Sequence, residues 1–173
     1  MPSFLDPRYL ILGLVEGTIV GLGLGARVIF SPEPAVANAV LNAGVITSTI
    51  NLITAFFAEL HQERAHLLDL ERKMVISQRG YYFHTALYHA AQLQVLKGAI
   101  TNSASSFAGA AVLFLSVPFI RIQPLLGLLP PLILLFVLGL YFGHQVAGNR
   151  WIWGMGMVLT GAVVTVVGLF FPA

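Results

Sequence analysis

The segment Val45–Arg79, VITSTINLITAFFAELHQERAHLLDLERKMVISQR, lies between Gly44 and Gly80 and contains neither glycine nor proline. Without such a breaker a helical pattern can continue through the whole segment, which would then be roughly 50 Å long. The hydrocarbon core of a bilayer is only about 30 Å thick. The first half of the segment is apolar, whereas residues 59–73 are rich in charge. The sequence therefore predicts one helix that crosses a membrane and continues into water, with Glu59 at the exit.

The composition of the whole chain is typical of a membrane protein. Of its 173 residues, 57% are hydrophobic and 9% are charged, whereas about a quarter of the residues of a soluble domain are charged. We predict an all-α integral membrane protein, a single domain over residues 1–173, with five transmembrane helices of about 20 residues each. The predicted spans are about 9–30, 36–58, 100–120, 125–146 and 151–171, with a cytoplasmic helical segment at about 59–97.

The basic residues predict how the chain is oriented. All nine Lys and Arg residues except Arg27 and Arg121 fall on one side of the predicted spans. By the positive-inside rule, the N-terminus and the long helix are cytoplasmic and the C-terminus lies outside, in the cell membrane. No basic run suited to nucleic acid occurs. The absence of cysteine from the sequence excludes disulfides, thiolate metal sites and cysteine nucleophiles, so oxygen and imidazole are the expected metal ligands.

The first predicted span, YLILGLVEGTIVGLGLGARVIF, places Glu16 about two turns inside the membrane. A lone carboxylate at this depth costs about 2–3 kcal/mol. Glu16 therefore needs a partner, a water path or a proton, and a protonated side chain bonded to neighbouring backbone is the alternative to a functional role. Glycines recur every four residues beside it and form a ridge that lets a second helix approach closely; they are Gly13, Gly17, Gly21 and Gly25.

The charged half of the long helix holds a second group of candidate ligands. On a regular helix Glu59, Glu63 and His66 fall within about 60° of one another. Two carboxylates and an imidazole suit Fe²⁺, Mn²⁺ or Zn²⁺, and Glu63 and His66 have the Glu-x-x-His spacing of di-iron bundles. The alternative is that these are surface charges of a solvated helix. Asn51 and Thr54, within about two turns before Glu59, either line a route to it or only join neighbouring helices.

Residues 81–97 predict a separate amphipathic helix that returns to the membrane. His84 and His89 lie about 140° apart on such a helix and therefore cannot face one metal ion. Prolines predict an external turn at residues 31–34. Four further prolines predict a second external turn and a kink in span four; they are Pro118, Pro124, Pro130 and Pro131. In the last span, glycines at a seven-residue period predict one packing stripe; they are Gly154, Gly161 and Gly168.

Two stretches of this sequence resemble the vacuolar iron transporter family. GLVEGTIVGLGLGA in span one is similar to the family's first helix, which has an acidic residue followed by glycine and a small-residue-rich run. INLITAFFAELHQER is similar to its second helix, which carries a carboxylate near the cytoplasmic end and extends beyond the bilayer. The family's first-helix acid, usually Asp, corresponds to Glu16, and its second-helix acid corresponds to Glu59.

The resemblance implies a homodimer that exports Fe²⁺, and also Mn²⁺, from the cytoplasm in exchange for protons. In this hypothesis Glu16 and Glu59 release protons to take the ion and are protonated again as it leaves, because ion and proton compete for the same groups. The glycine ridge would allow the two copies to approach each other. We expect the metal ion as cargo, no tightly bound cofactor and no enzymatic activity.

Two alternatives of other classes remain open. Glu63 and His66 could belong to a membrane-anchored di-iron oxidase of the ferritin-like type, which would need a second Glu-x-x-His from another copy of the chain. The chain could also be a non-transporting structural or interaction protein whose acids only stabilise helix packing.

Overall fold

A computed structural model describes residues 7–30, 36–74, 85–120 and 122–170 of the chain. These residues form helices and turns and contain no strand, which confirms the all-α class. The helices are α1 (Pro7–Ile29), α2 (Val36–Lys73), α3 (Ala86–Ala111), α4 (Val117–Ile120), α5 (Leu129–Gln145) and α6 (Arg150–Phe170), with short 3₁₀ segments at Val112–Ser116 and Pro124–Leu128.

Within the described ranges, four helical segments are long and apolar enough to cross a membrane, which indicates a membrane protein. They are Pro7–Ala26, Tyr88–Ile120, Pro124–Gln145 and Arg150–Phe170, and they overlap the predicted spans one, three, four and five. The predicted second span, residues 36–58, forms the first half of α2 and is not among the four.

Helix α2 is continuous from Val36 to Lys73, which at 1.5 Å per residue makes it about 57 Å long. One uninterrupted helix through residues 59–73 is therefore confirmed. Gly44 lies inside this helix and does not end it. The ring of Phe107 on α3 packs against Gly44, where a side chain would leave no room for it. The predicted continuation to Arg79 and the predicted break at Gly80 lie outside the described residues, as do His84 and the predicted turn at 31–34.

The prediction that residues 81–97 and 100–120 form separate helices is wrong. Helix α3 runs without a break from Ala86 to Ala111, and Gly98 inside it accommodates the ring of Tyr9. The kink predicted in span four is wrong as well. Pro130 and Pro131 lie in the first turn of α5, where proline removes no intrahelical hydrogen bond and so starts a helix instead of bending one.

Helix α1 is central to the bundle. It packs most extensively against α3 and also contacts α6 and α2, while α5 packs mainly against α6. A buried apolar cluster joins α1 to α5 and consists of Ile11, Val15, Leu22, Leu135 and Leu138. A second cluster closes the opposite end with Ile29, Leu113 and Ile120.

The glycine ridge of α1 is used inside the chain. A Cβ atom at Gly13 would collide with Ser105 and with the main chain of Asn102, and one at Gly17 would collide with the main chain of Ser106. The expectation that the ridge serves contact between two copies is therefore wrong, because α3 already occupies it. The glycine stripe of α6 is confirmed as a packing stripe, since Gly154 and Gly161 face side chains of α5.

Candidate functional site

Glu16 lies on α1 where this helix meets α2 and α3. Its carboxylate accepts a hydrogen bond from Asn51 of α2, with 2.6 Å between Asn51 Nδ2 and Glu16 Oε2. The side chain of Asn102 on α3 lies beside the same carboxylate. The rest of the Glu16 side chain is exposed, so the carboxylate can be reached from outside the three helices.

Asn51 connects all three helices. The same amide nitrogen that donates to Glu16 also lies 2.5 Å from Ser106 Oγ on α3. Ser106 is completely buried and Asn102 is 7% exposed, so the α3 members of the group are shielded from the surroundings. We call Glu16, Asn51, Asn102 and Ser106 the polar junction.

One atom of the polar junction lacks a hydrogen-bond donor. Asn102 Oδ1 is buried and makes no hydrogen bond, although a buried amide oxygen without a partner costs about 1–3 kcal/mol. Some hydroxyls nearby are satisfied by main-chain oxygens, whereas Thr47 Oγ1 on α2 is also buried without a partner. Thr18 donates to Leu14 O at 2.7 Å and Ser103 donates to Ser48 O at 2.8 Å. The unpaired oxygen of Asn102 is therefore a buried acceptor beside Glu16 that has no partner among the described residues.

Glycines bring the helices of the junction close together. Gly13 and Gly17 lie one residue to one turn from Glu16 and face the main chain of α3, while Gly109 of α3 faces Leu14 O. Close backbone approach of this kind is how small residues join helices in lipid. It is also why a short side chain of α3, that of Asn102, can lie beside a carboxylate on α1.

The structure keeps Glu59 apart from this junction. Glu59 follows Asn51 by roughly 12 Å along α2. Glu59 and Glu63 are half-buried, and His66 is exposed. Among the described side chains, no three of His, Asp or Glu come together as a metal-binding group. A metal ion at Glu59, Glu63 and His66 would therefore need further ligands, such as water or a second copy, and this site stays a prediction.

The two residues predicted along the ion path have different surroundings. Asn51 belongs to the polar junction, whereas Thr54 is exposed and donates to Ile50 O of its own helix at 2.8 Å.

His89 on α3 is exposed, as expected for a surface residue. Its ring lies 6.2 Å from that of Tyr88.

The charged end of α2 packs against the start of α3. Arg64 Nε donates to the hydroxyl of Tyr88 at 2.9 Å, and Leu67 and Glu71 are 1% and 3% exposed. Glu71 is thus the most buried acid in the described part of the chain. By contrast, Asp69 is exposed and pairs with Lys73 at 2.7 Å; the hydrogen bond from Lys73, and its charge, lower the pKa of Asp69.

Sequence reasoning found Glu16 and Asn51 but missed Asn102, Ser106 and Glu71. Asn102 and Ser106 are one turn apart on α3, so they share a face, and this spacing was a usable signal. Which helix that face would meet was not readable from the sequence. Glu71 follows Glu59, Glu63 and Leu67 at four-residue spacing, which is a second signal for a buried stripe along α2.

A comparison with known proteins found a distantly similar protein. An uncharacterized protein of Methanocaldococcus jannaschii is 26% identical over 168 residues, which cover 92% of this chain and 85% of that protein. No protein-family model matches the chain, and no solved structure matches it. The similarity thus extends over nearly the whole chain without assigning it an activity.

Proposed function

We propose that this protein is an integral membrane transporter of divalent transition-metal ions, Fe²⁺ or Mn²⁺, that exports them from the cytoplasm in exchange for protons. Glu16 is the central exchange group and Glu59 receives ions at the cytoplasmic end. The vacuolar iron transporter family, which parts of the sequence resemble, provides the precedent for the ion and the direction.

The observation that carries the proposal is that Glu16, an acid among packed helices, has only neutral neighbours as polar partners. Its hydrogen-bond partner is the neutral amide of Asn51, and the neutral amide of Asn102 lies beside it. No Lys, Arg or His in the described ranges forms an ion pair with it. A carboxylate inside a membrane bundle costs several kcal/mol unless a cation or a proton neutralises it. Alternation between these two states at Glu16 is the elementary step of cation–proton exchange.

Exchange requires that Glu16 be reachable, and its exposure in the single chain supports this. Glu16 contacts α2 through Asn51, and another face of α2 is apolar and exposed; that face includes Val45, Ile46, Ile50, Ile53 and Phe57. We therefore propose that the first half of α2 also crosses the bilayer, as a fifth span with this face toward lipid or a second copy. A homodimer would use such a face, because the glycine ridge is already occupied.

The orientation follows from the same arrangement. With five crossings the termini lie on opposite sides, and the positive-inside rule then places the N-terminus in the cytoplasm of the cell and the C-terminus outside. The charged end of α2 carries Glu59 and Glu63 into the cytoplasm, where half-buried carboxylates would concentrate cations ahead of Glu16.

The experiment is metal transport into proteoliposomes with an imposed pH gradient. We expect Fe²⁺ and Mn²⁺ movement that depends on the gradient, its loss in Glu16→Gln, and a reduced rate in Glu59→Gln. Asp69→Asn is the matched control, since it also turns an acid into an amide but affects an exposed residue paired with Lys73. Unchanged transport in Glu16→Gln and Glu59→Gln would contradict the proposal.

A further inference from the structure

We infer that the polar junction is itself a cation site, that α3 supplies two of its ligands through Asn102 and Ser106, and that its all-oxygen composition selects hard divalent cations of the Mn²⁺, Mg²⁺ and Ca²⁺ class. This inference rests on the proposed transport function and deepens it, because it names the ligands around Glu16 and the class of ion they hold.

The first argument is the convergence of ligand atoms. The amide nitrogen of Asn51 on α2 donates to Glu16 of α1 at 2.6 Å and to Ser106 of α3 at 2.5 Å, and the side chain of Asn102 on α3 lies beside Glu16. One carboxylate, two amides and one hydroxyl therefore lie within a single group. Oxygen atoms of these types are the ligands that hard cations use in proteins.

The second argument is the unpaired oxygen of Asn102. This side chain is more than nine-tenths buried and lies beside Glu16, while its Oδ1 has no donor. The nitrogen and oxygen of an amide exchange places when the group rotates by about 180°. With the site empty, the nitrogen donates to the carboxylate. With a cation beside Glu16, the rotated amide presents its oxygen to the ion. The same rotation at Asn51, whose nitrogen donates to Glu16 and Ser106, would turn its oxygen toward the ion, so both amides serve both states of the site.

The third argument concerns the kind of ion. Carboxylate, carbonyl and hydroxyl oxygens suit Mg²⁺, Ca²⁺ and Mn²⁺, whereas imidazole suits Zn²⁺, Cu²⁺ and Fe²⁺, and sulfur suits Cu⁺ and Zn²⁺. Of the two ions of the proposed function, the junction therefore favours Mn²⁺ over Fe²⁺. No imidazole or sulfur atom belongs to the junction. His66 on α2 is roughly 22 Å further along the helix than Asn51. The junction therefore admits Mn²⁺ and gives Zn²⁺ none of the ligands that would favour it.

The test is Mn²⁺ binding to the purified full chain in lipid nanodiscs, measured by electron paramagnetic resonance of free Mn²⁺. Excess Mg²⁺ or Ca²⁺ should displace bound Mn²⁺. Asn102→Leu and Ser106→Ala should each weaken Mn²⁺ binding by about tenfold to a hundredfold, the range found when groups supporting a metal site are removed. Asn42→Leu is the matched control, because Asn42 is an exposed amide on α2 outside the junction.

The possible outcomes separate this inference from the proposed function. If Asn102→Leu does not fold, Ser106→Ala decides, since it removes a single oxygen. Transport that is lost in Glu16→Gln but unchanged in the folded α3 variants would overturn the inference and leave the transporter intact. Mn²⁺ binding that both α3 variants weaken, in a protein that moves no metal, would support the site and contradict transport. Mn²⁺ binding that Mg²⁺ and Ca²⁺ cannot displace would overturn the assigned ion class.

Discussion

The contact of α1 with α3 and the contact of α5 with α6 are both built on glycine, yet they carry different chemistry. In the first, Gly13 and Gly17 face main chain of α3, and the polar junction lies beside them. In the second, Gly139 faces main chain of α6 and Gly154 faces the ring of Phe136. The described side chains between α5 and α6 include no carboxylate, since neither helix contains Asp or Glu.

The two contacts differ in how their side chains affect the stability of the helix pair. In lipid, apolar side chains gain little by leaving one apolar environment for another, so close packing alone can hold α5 to α6. A carboxylate and an unpaired amide oxygen add cost to the other contact instead of stability. Groups that a stable helix pair does not need are the ones expected to have a function.

The largest expected effect tests the close approach itself. In Gly17→Ala the new Cβ would overlap main-chain atoms of Ser106, which cannot move aside as a flexible side chain can. We expect a loss of about 1–3 kcal/mol, the usual cost of overpacking, measured as thermal unfolding in detergent. Gly156→Ala on α6 is the control, because nothing lies within 4 Å of its Cβ position. Equal stability of the two variants would show that α1 and α3 are farther apart than described.

A smaller effect compares polar coupling in the two regions. A double-mutant cycle of Glu16→Ala and Asn51→Ala should give a coupling free energy of about 1 kcal/mol, as measured for hydrogen bonds between membrane helices. The matched cycle uses Tyr141→Phe and Gln145→Ala on α5, whose exposed side chains are 2.9 Å apart. There we expect at most about 0.5 kcal/mol, as for neighbours on one helix surface. Similar values in both cycles would remove the distinction between the regions.

The smallest effect concerns the turn between α5 and α6. Ala147 has φ 52°, and Gly148 N donates to Gly143 O at 3.0 Å, which is the arrangement that usually places glycine at this position. We expect Ala147→Gly to stabilise the protein by about 0.5–1 kcal/mol and Ala147→Val to destabilise it, as read from thermal unfolding. A loss of stability in Ala147→Gly would mean that the backbone of Ala147 does not adopt the left-handed conformation.

Several elements were predictable from the sequence because their signals are local. The absence of glycine and proline predicted an unbroken α2 through residue 73, and hydropathy predicted the helices that became α1, α5 and α6. The start of α3 was not predictable, because a change from polar to apolar composition at residue 100 resembles a boundary although the backbone continues through it. The prolines of α5 were misjudged for a similar reason, since their effect depends on where the helix begins.

The sequence by itself determined that this chain is helical and apolar, and that Glu16 needs a partner, because burial cost and helix period depend only on residue type and spacing. The tertiary structure alone decided which partners Glu16 has. Asn51 and Asn102 are far from it along the chain, and Asn102 lies beside it only because the glycine ridge of α1 lets α3 approach. Long-range contacts of this kind depend on how helices pack in three dimensions, which a single helix does not specify.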